Sequence, residues 1–362
     1  MLDYLLDIQR VNQYFKWPLG AKTLWEATSS DLEFLRQVRT GLLPLPTDRP
    51  REFQDPFPAP RRRRITALAD KRVAVIATGG SGALASMVGV VRVLEEAGVQ
   101  PTAYGVCSGS ALFGVPLAAG LSAEEVARCT QSMTARDYLD PDWVGLLAAP
   151  WKLLRGWAGL LDGERLERTY RELLGDVTLG DLPTPVWMPV WNIERNHLEY
   201  LGPDTHPDLP AARAVRMAVS LPLAIKPNPM EGGYYLDGGI VEILPARPFL
   251  DQDLCDVAIV VNGFYAAGSV ADEEPGWQHK PLSVLHIANQ TRTMQHMHLA
   301  KRALADLHEH VGDVIELTPV PYDIVQGAGL YGQFLDTRRW PEFMTDGYDV
   351  AARSLTRFRS RN

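Results

Sequence analysis

Gly105-Val106-Cys107-Ser108-Gly109-Ser110 places a cysteine between two glycines at the spacing G-x-C-x-G. A nucleophile on a tight turn between strand and helix sits in strained backbone, and glycines on either side relieve the clash. Cys107 is the expected nucleophile. A thiol ordinarily ionises near pH ~8.5, and a helix N-terminus favours both a thiolate and a developing oxyanion. Taking Ser108 as the nucleophile gives the frame V-C-S-G-S, which lacks the leading glycine. Ser108 is therefore grouped with the oxyanion site, and Gly105 and Gly109 with support of the elbow.

Two further motifs have the same small-residue character. Gly79-Gly80-Ser81-Gly82 follows an apolar run and precedes a helical stretch. Small side chains free the backbone N–H groups to converge on an anion, so these four residues are expected to form an oxyanion hole. The same residues imitate a dinucleotide fingerprint, but that needs an acid at the end of the next strand. Here the next strand ends in the Cys107 turn. Leu236-Asp237-Gly238-Gly239 is the third motif. An aspartate at a strand end, followed by two glycines, can approach another loop closely; alone, it reads as an ordinary turn aspartate.

The elements that must position these motifs are legible in outline. RVAVIAT (72–78) and PTAYGV (101–106) read as buried parallel strands, each followed by a helix of apolar periodicity. Strand–turn–helix twice over predicts a parallel sheet covered by helices. Ser122 and Glu125 form a capping box for a third helix, and Gly98 is placed to end the first. Residues 137–185 read as mainly helical. VWMPVWNI (186–193) and HLEYLG (197–202) read as two strands, AARAVRMAVSLP as a helix stopped by Pro222, and residues 282–311 as one long helix. Residues 1–20 form an amphipathic stripe, and the Pro- and Arg-rich segment 44–64 reads as a linker whose Arg61 to Arg64 are solvated.

Taken in order, GGSGALASMVGVVRVLEEAGV, YGVCSGSALFG, AVRMAVSLPLAIKP and YYLDGGIVEILP resemble the patatin-like phospholipase family over about residues 72–265. The resemblance implies a three-layer α/β/α sandwich with a mainly parallel central sheet, here with N- and C-terminal helical extensions. It also implies a nucleophile–aspartate dyad without histidine. Cys107 stands at the nucleophile position, where the family has serine, and Asp237 at the dyad aspartate. Gly79 to Gly82 match the oxyanion loop, and Gly238 and Gly239 support the dyad. The chain also departs from the family in carrying Ala83 and Leu84 where a basic residue usually follows the glycines.

These readings predict an acyl-transfer enzyme, a hydrolase or acyltransferase, that forms an acyl-enzyme on Cys107. A thiolate exchanges readily with thioesters, so acyl groups on CoA or a carrier protein are the expected substrates, with lipid esters beside them. The alternative is a catalytically degenerate patatin-like protein that binds an acyl chain or lipid. Three segments are expected: an extension and linker at 1–65, the α/β domain at 66–320 and a C-terminal extension packed on it at 321–362.

The 362 residues carry a formal net charge of −8, which disfavours unspecific binding to nucleic acid. Cys107, Cys129 and Cys255 form neither a disulfide framework nor a metal-binding spacing, consistent with a reducing cytoplasm. The N-terminus lacks the pattern of a signal peptide, and no run reaches the ~18 apolar residues of a membrane span. Peripheral membrane contact and a homodimer are compatible with the sequence. His296, His298, His308 and His310 read as solvated or packing residues, and no metal or cofactor is expected. Trp151, Trp157, Trp187 and Trp191 could line an acyl pocket, although aromatics at such spacings usually belong to a core.

Overall fold

The computed structural model describes residues 52–142, 145, 157–264, 283–320 and 337–359. The helix expected at 1–20, the start of the linker and Trp151 lie outside them. Clustering of the backbone gives two units. Met1–Pro44 with Ala271–Ala288 form one, of which only the beginning of a helix at Ser283 is described; Leu45–Val270 with Asn289–Asn362 form the other. The rest of this account concerns the second.

The apolar runs become the centre of a sheet. β1 (Val73–Ala77) is fully buried along its length, as is β9 (Val257–Val261). β2 (Ala103–Val106) follows α1 (Ser86–Glu96) and leads into α2 (Ala111–Ala118). α3 (Ala123–Ser132) starts at the expected box, in which the Ser122 hydroxyl accepts from the Glu125 amide at 3.2 Å and Glu125 accepts from the Ser122 amide at 2.8 Å. Between residues 157 and 185 the chain is only partly helical. A short strand, β3 (Gly159–Leu161), precedes α4 (Glu164–Leu174) and pairs with the distant β6 (Leu223–Ile225). No local periodicity marks three residues whose partner is some sixty positions away.

β4 (Val186–Asn192) and β5 (His197–Leu201) form the expected hairpin. α5 (Ala211–Ala218), β7 (Asn228–Met230), β8 (Gly233–Asp237) and α6 (Arg247–Asp251) complete this stretch. α7 (Ser283–His310), β10 (Asp313–Leu317) and α8 (Trp340–Arg357) follow β9. The sheet order is β10-β9-β1-β2-β4-β8-β7, with β5 also on β4. The pairs from β10 through β4 are parallel and those to β8, β7 and β5 antiparallel. This mixed α/β arrangement, parallel at its centre, agrees with the fold expected from the sequence.

α8 is built into the packing. A Cβ on Gly89 of α1 would lie 2.0 Å from the Met344 carbonyl, and one on Gly347 of α8 would lie 1.9 Å from the Ser86 carbonyl. Backbone-to-backbone contact of this kind admits only glycine at the crossing. Phe343, Met344, Tyr348, Ala351 and Leu355 are buried there. The end of the linker also packs: Arg63 Nε pairs with Glu96 at 2.6 Å and its guanidinium donates to the Tyr348 hydroxyl at 2.8 Å. Arg63 is thus held by the domain, where the sequence reading had it solvated.

Candidate active site

β1 and β2 are adjacent and parallel, with Ala77 opposite Val106, so the loops at their carboxyl ends lie side by side. Ligands in open α/β sheets bind at that edge. The glycine loop leaves β1 with Gly80 at φ 140° and Ser81 at φ 59°. The elbow leaves β2, and Ser110 clamps it by accepting from the Cys107 amide at 2.8 Å and donating to the Cys107 carbonyl at 2.8 Å. A Cβ on Gly109 would lie 2.2 Å from the Ser81 carbonyl, so the two loops meet only because residue 109 is glycine.

The reversal of chain direction falls one residue later than the sequence reading put it. Cys107 is still extended, at φ −132° and ψ 138°, and Ser108 takes the left-handed turn at φ 52°. Cys107 is 0% exposed, and its thiol donates to the Glu242 carbonyl at 3.6 Å. Burial first, then the Asp237 and Glu242 carboxylates, push this thiol well above its usual pKa. The thiol is therefore neutral in this arrangement and would need a base to act as a nucleophile. Ser108, partly exposed at the turn, lines the neighbouring cavity; Cys107 is not among the lining residues. Gly105 lies within β2, and its missing side chain makes room for Phe249, which a Cβ there would meet at 2.7 Å. Gly105 thereby lets the strand that leads into the elbow pack closely.

Asp237 ends β8 and is 1% exposed. Its Oδ1 accepts from the Gly239 amide at 2.8 Å, and Ser108 lines the same cavity. Burial pushes its pKa up to about 6, with the Ser108 side chain and the Gly239 amide acting in the opposite sense. Gly238 allows the turn to press on β4: a Cβ would lie 2.5 Å from the Pro189 carbonyl carbon. A Cβ on Gly239 would lie 3.0 Å from both the Cys107 sulfur and Asp237 Oδ1.

Of the glycine loop, Gly80 and Ser81 reach the cavity. The Gly79 amide donates to the Ile243 carbonyl at 2.9 Å and also acts on the Cys107 thiol, whose pKa it lowers. Gly82 is buried in the first turn of the 3-10 segment Ser81–Ala85. The Ser81 hydroxyl is buried and has no hydrogen-bond partner among the described residues.

The cavity encloses about 260 Å³ beside Ser108 and Asp237. Its wall is largely aliphatic, including Val219, Leu221, Ile225, Ile240 and Ile243, and Leu223, 77% exposed, stands at its rim. Phe264, Arg292 and His296 complete it. The sequence reading missed Arg292 and left His296 as a packing or solvated residue; their i, i+4 spacing on a long helix was the available signal. Burial first, then Arg292, lower the His296 pKa to about 4. The described tryptophans do not line this cavity, and Trp187 packs edge-on against Phe249 at 5.9 Å.

Residues 75–250 match the patatin-like phospholipase family model. Among similar proteins is an uncharacterized NTE family protein of Mycobacterium tuberculosis, 28% identical over 224 residues. That alignment takes in 60% of this chain and 57% of the mycobacterial protein, so the match spans little more than half of the relative. Lysophospholipase NTE1 of Cryptococcus neoformans is 23% identical over 232 residues, 61% of this chain but 13% of that protein. Among solved structures, VipD from Legionella pneumophila gives a TM-score of 0.42 at 16% identity, covering 79% of this chain and 67% of its own.

Proposed function

We propose that the protein is a lipid acyl-ester hydrolase in which Ser108 is the nucleophile and Asp237 its proton acceptor. The observation that carries this reading is that Ser108, the one residue of the elbow with positive φ, lines an apolar cavity together with Asp237.

Ser108 Oγ attacks the acyl carbonyl as its proton passes to Asp237. The oxygen of the carbonyl becomes an anion, to be met by the amides of Gly80, Ser81 and Gly109, whose residues line the cavity. The bond to the leaving oxygen breaks, and the proton on Asp237 goes to that oxygen. Water then attacks the acyl-Ser108 ester, returns a proton through Asp237 and releases the acid. A carboxylate with a pKa of about 6 is mostly ionised at neutral pH and is a better base than an unperturbed one.

The aliphatic wall and the exposed Leu223 fit an acyl chain drawn from lipid, and peripheral contact with a lipid surface is part of the reading. The expectation of CoA- or carrier-bound thioesters belongs to a thiol nucleophile, and a serine nucleophile turns the reading towards oxygen esters. The similarity to a protein named as a lysophospholipase supports the ester class. Labelling with an alkyl fluorophosphonate, mapped by fragment mass spectrometry, tests the assignment. Modification of Ser108, absent in Ser108→Ala and present in Cys107→Ala, is expected. A label on Cys107, or one that survives Ser108→Ala, overturns it.

A further inference from the structure

Phe264 is the one described residue that lines two cavities. One is the acyl cavity of about 260 Å³, which Ser108 and Asp237 also line. The other is an open groove of about 540 Å³ along the flank of α7. Met294, Met297 and Leu304 give it an apolar lining. Met294 and Leu304 stand ten residues apart, roughly 15 Å along the helix. Phe264 is fixed where the two spaces meet. Its amide donates to Asn262 Oδ1 at 2.8 Å, and Asn262 Nδ2 donates to Glu316 at 2.8 Å. The Gly263 amide donates to Thr78 Oγ1 at 2.9 Å. The Phe264 ring is 3% exposed and meets His296 edge-on at 5.0 Å. With backbone and ring both held, the side chain is a partition and not a hinged lid.

We propose that Phe264 sets the length of acyl chain the enzyme accepts, by closing the acyl cavity against the α7 groove. The proposal rests on the hydrolase reading and names which chains that site takes. Each methylene that leaves water for an apolar wall should raise kcat/KM about fourfold. The gain stops where the chain meets the Phe264 ring, because the ring is packed and its backbone is tied. A longer chain must turn back to the rim, where Leu223 is itself 77% exposed, and its last carbons stay in water. Removing the ring joins the two spaces, so that a chain can run past residue 264 along Met297 and Leu304. Phe264 and every described residue of the groove lie beyond the segment 75–250 that matches the family model. The partition is therefore set by a part of this chain outside that match.

Chain-length profiles test the proposal. kcat/KM is measured on nitrophenyl esters from butanoate to tetradecanoate, each below its aggregation limit. For the unaltered enzyme it should climb with chain length and then level off. In Phe264→Ala the climb should continue for several more carbons, raising the ratio of tetradecanoate to hexanoate by about tenfold or more. Phe264→Leu leaves a smaller gap and disturbs the fold less, and should shift the ratio the same way by a smaller factor. Met297→Trp fills the groove. It should leave the profile of the unaltered enzyme unchanged and cancel the gain when combined with Phe264→Ala. An unchanged ratio in both Phe264 variants, or a gain that survives Met297→Trp, overturns the proposal. Binding without turnover keeps it apart from the hydrolase reading. Full-length Ser108→Ala protein is titrated calorimetrically with octanoate and tetradecanoate, with and without Phe264→Ala. The second substitution should raise affinity for tetradecanoate relative to octanoate by a similar factor. That shift, in a protein that hydrolyses no ester, supports the partition and removes the hydrolase reading. No shift, in a protein that is active with Ser108 intact, removes the partition alone.

Discussion

Ser108 and Asp237 line one cavity at the junction of two loops, one ending β2 and the other ending β8. The neighbouring Cys107 thiol is enclosed and donates to the Glu242 carbonyl. The contrast between adjacent residues gives the first prediction. Ser108→Ala should lower ester hydrolysis by about 10³-fold or more, with the fold intact by circular dichroism. Cys107→Ala should keep activity within about threefold and cost roughly 1 kcal/mol of stability.

Asp237 sets the acid limb of the pH profile. Its pKa of about 6 means that activity should fall tenfold per pH unit below that value, as measured by kcat/KM between pH 4 and 8. The same shift bears on stability. The folded pKa lies above the ordinary 3.8, so the folded state binds the extra proton between the two values. The stabilising effect of that proton is full below pH 3.8 and lost as pH rises through 6. Asp237→Asn removes the buried charge and should raise stability at pH 8 by up to about 3 kcal/mol, while abolishing hydrolysis. Denaturant melts at pH 8 and pH 4 check the sign: the gain should shrink at the lower pH.

Gly109 holds the glycine loop against the elbow. A methyl group there would meet the Ser81 carbonyl at 2.2 Å, and the overlap is with backbone, which cannot rotate away. Gly109→Ala should separate the loops, lowering kcat on the order of a hundredfold and stability by about 1–3 kcal/mol. A fully active Gly109→Ala enzyme would show that the loops are not held by this contact.

The crossing of α1 and α8 makes the C-terminal helix part of the sandwich. Gly89→Ala or Gly347→Ala should each cost about 3 kcal/mol and lower Tm by roughly 5–10 °C, since the methyl would meet a backbone carbonyl at 2.0 or 1.9 Å. Thermal melts of the two variants, and of a chain ended at residue 336, test whether the domain stands without α8; the truncated chain should fail to give a cooperative transition.

Much of the frame was legible in the residues. A continuous run of Val, Ile and Ala made β1 recognisable as a strand buried on both faces, because only such strands dispense with alternation. The Ser122–Glu125 box announced a helix start through chemistry confined to four residues. The Asp237-Gly238-Gly239 turn was legible because few other residues tolerate so close an approach. Contacts that reach across the chain were not legible. The pairing of β3 with β6, the glycine crossing of α1 with α8, and Arg292 and His296 in the cavity wall all join segments far apart in sequence. The elbow shows the limit most sharply. Successive residues of an extended chain face opposite ways, so a shift of one residue at the end of β2 exchanges the inward and outward side chains. The sequence by itself determined that a tight elbow containing Cys107 and Ser108 stands between a glycine loop and an aspartate. Tertiary structure decided that it is the serine which faces the cavity, because the turn at Ser108, the contact of Gly109 with Ser81 and the packing of Phe249 on Gly105 together settle which way each side chain points.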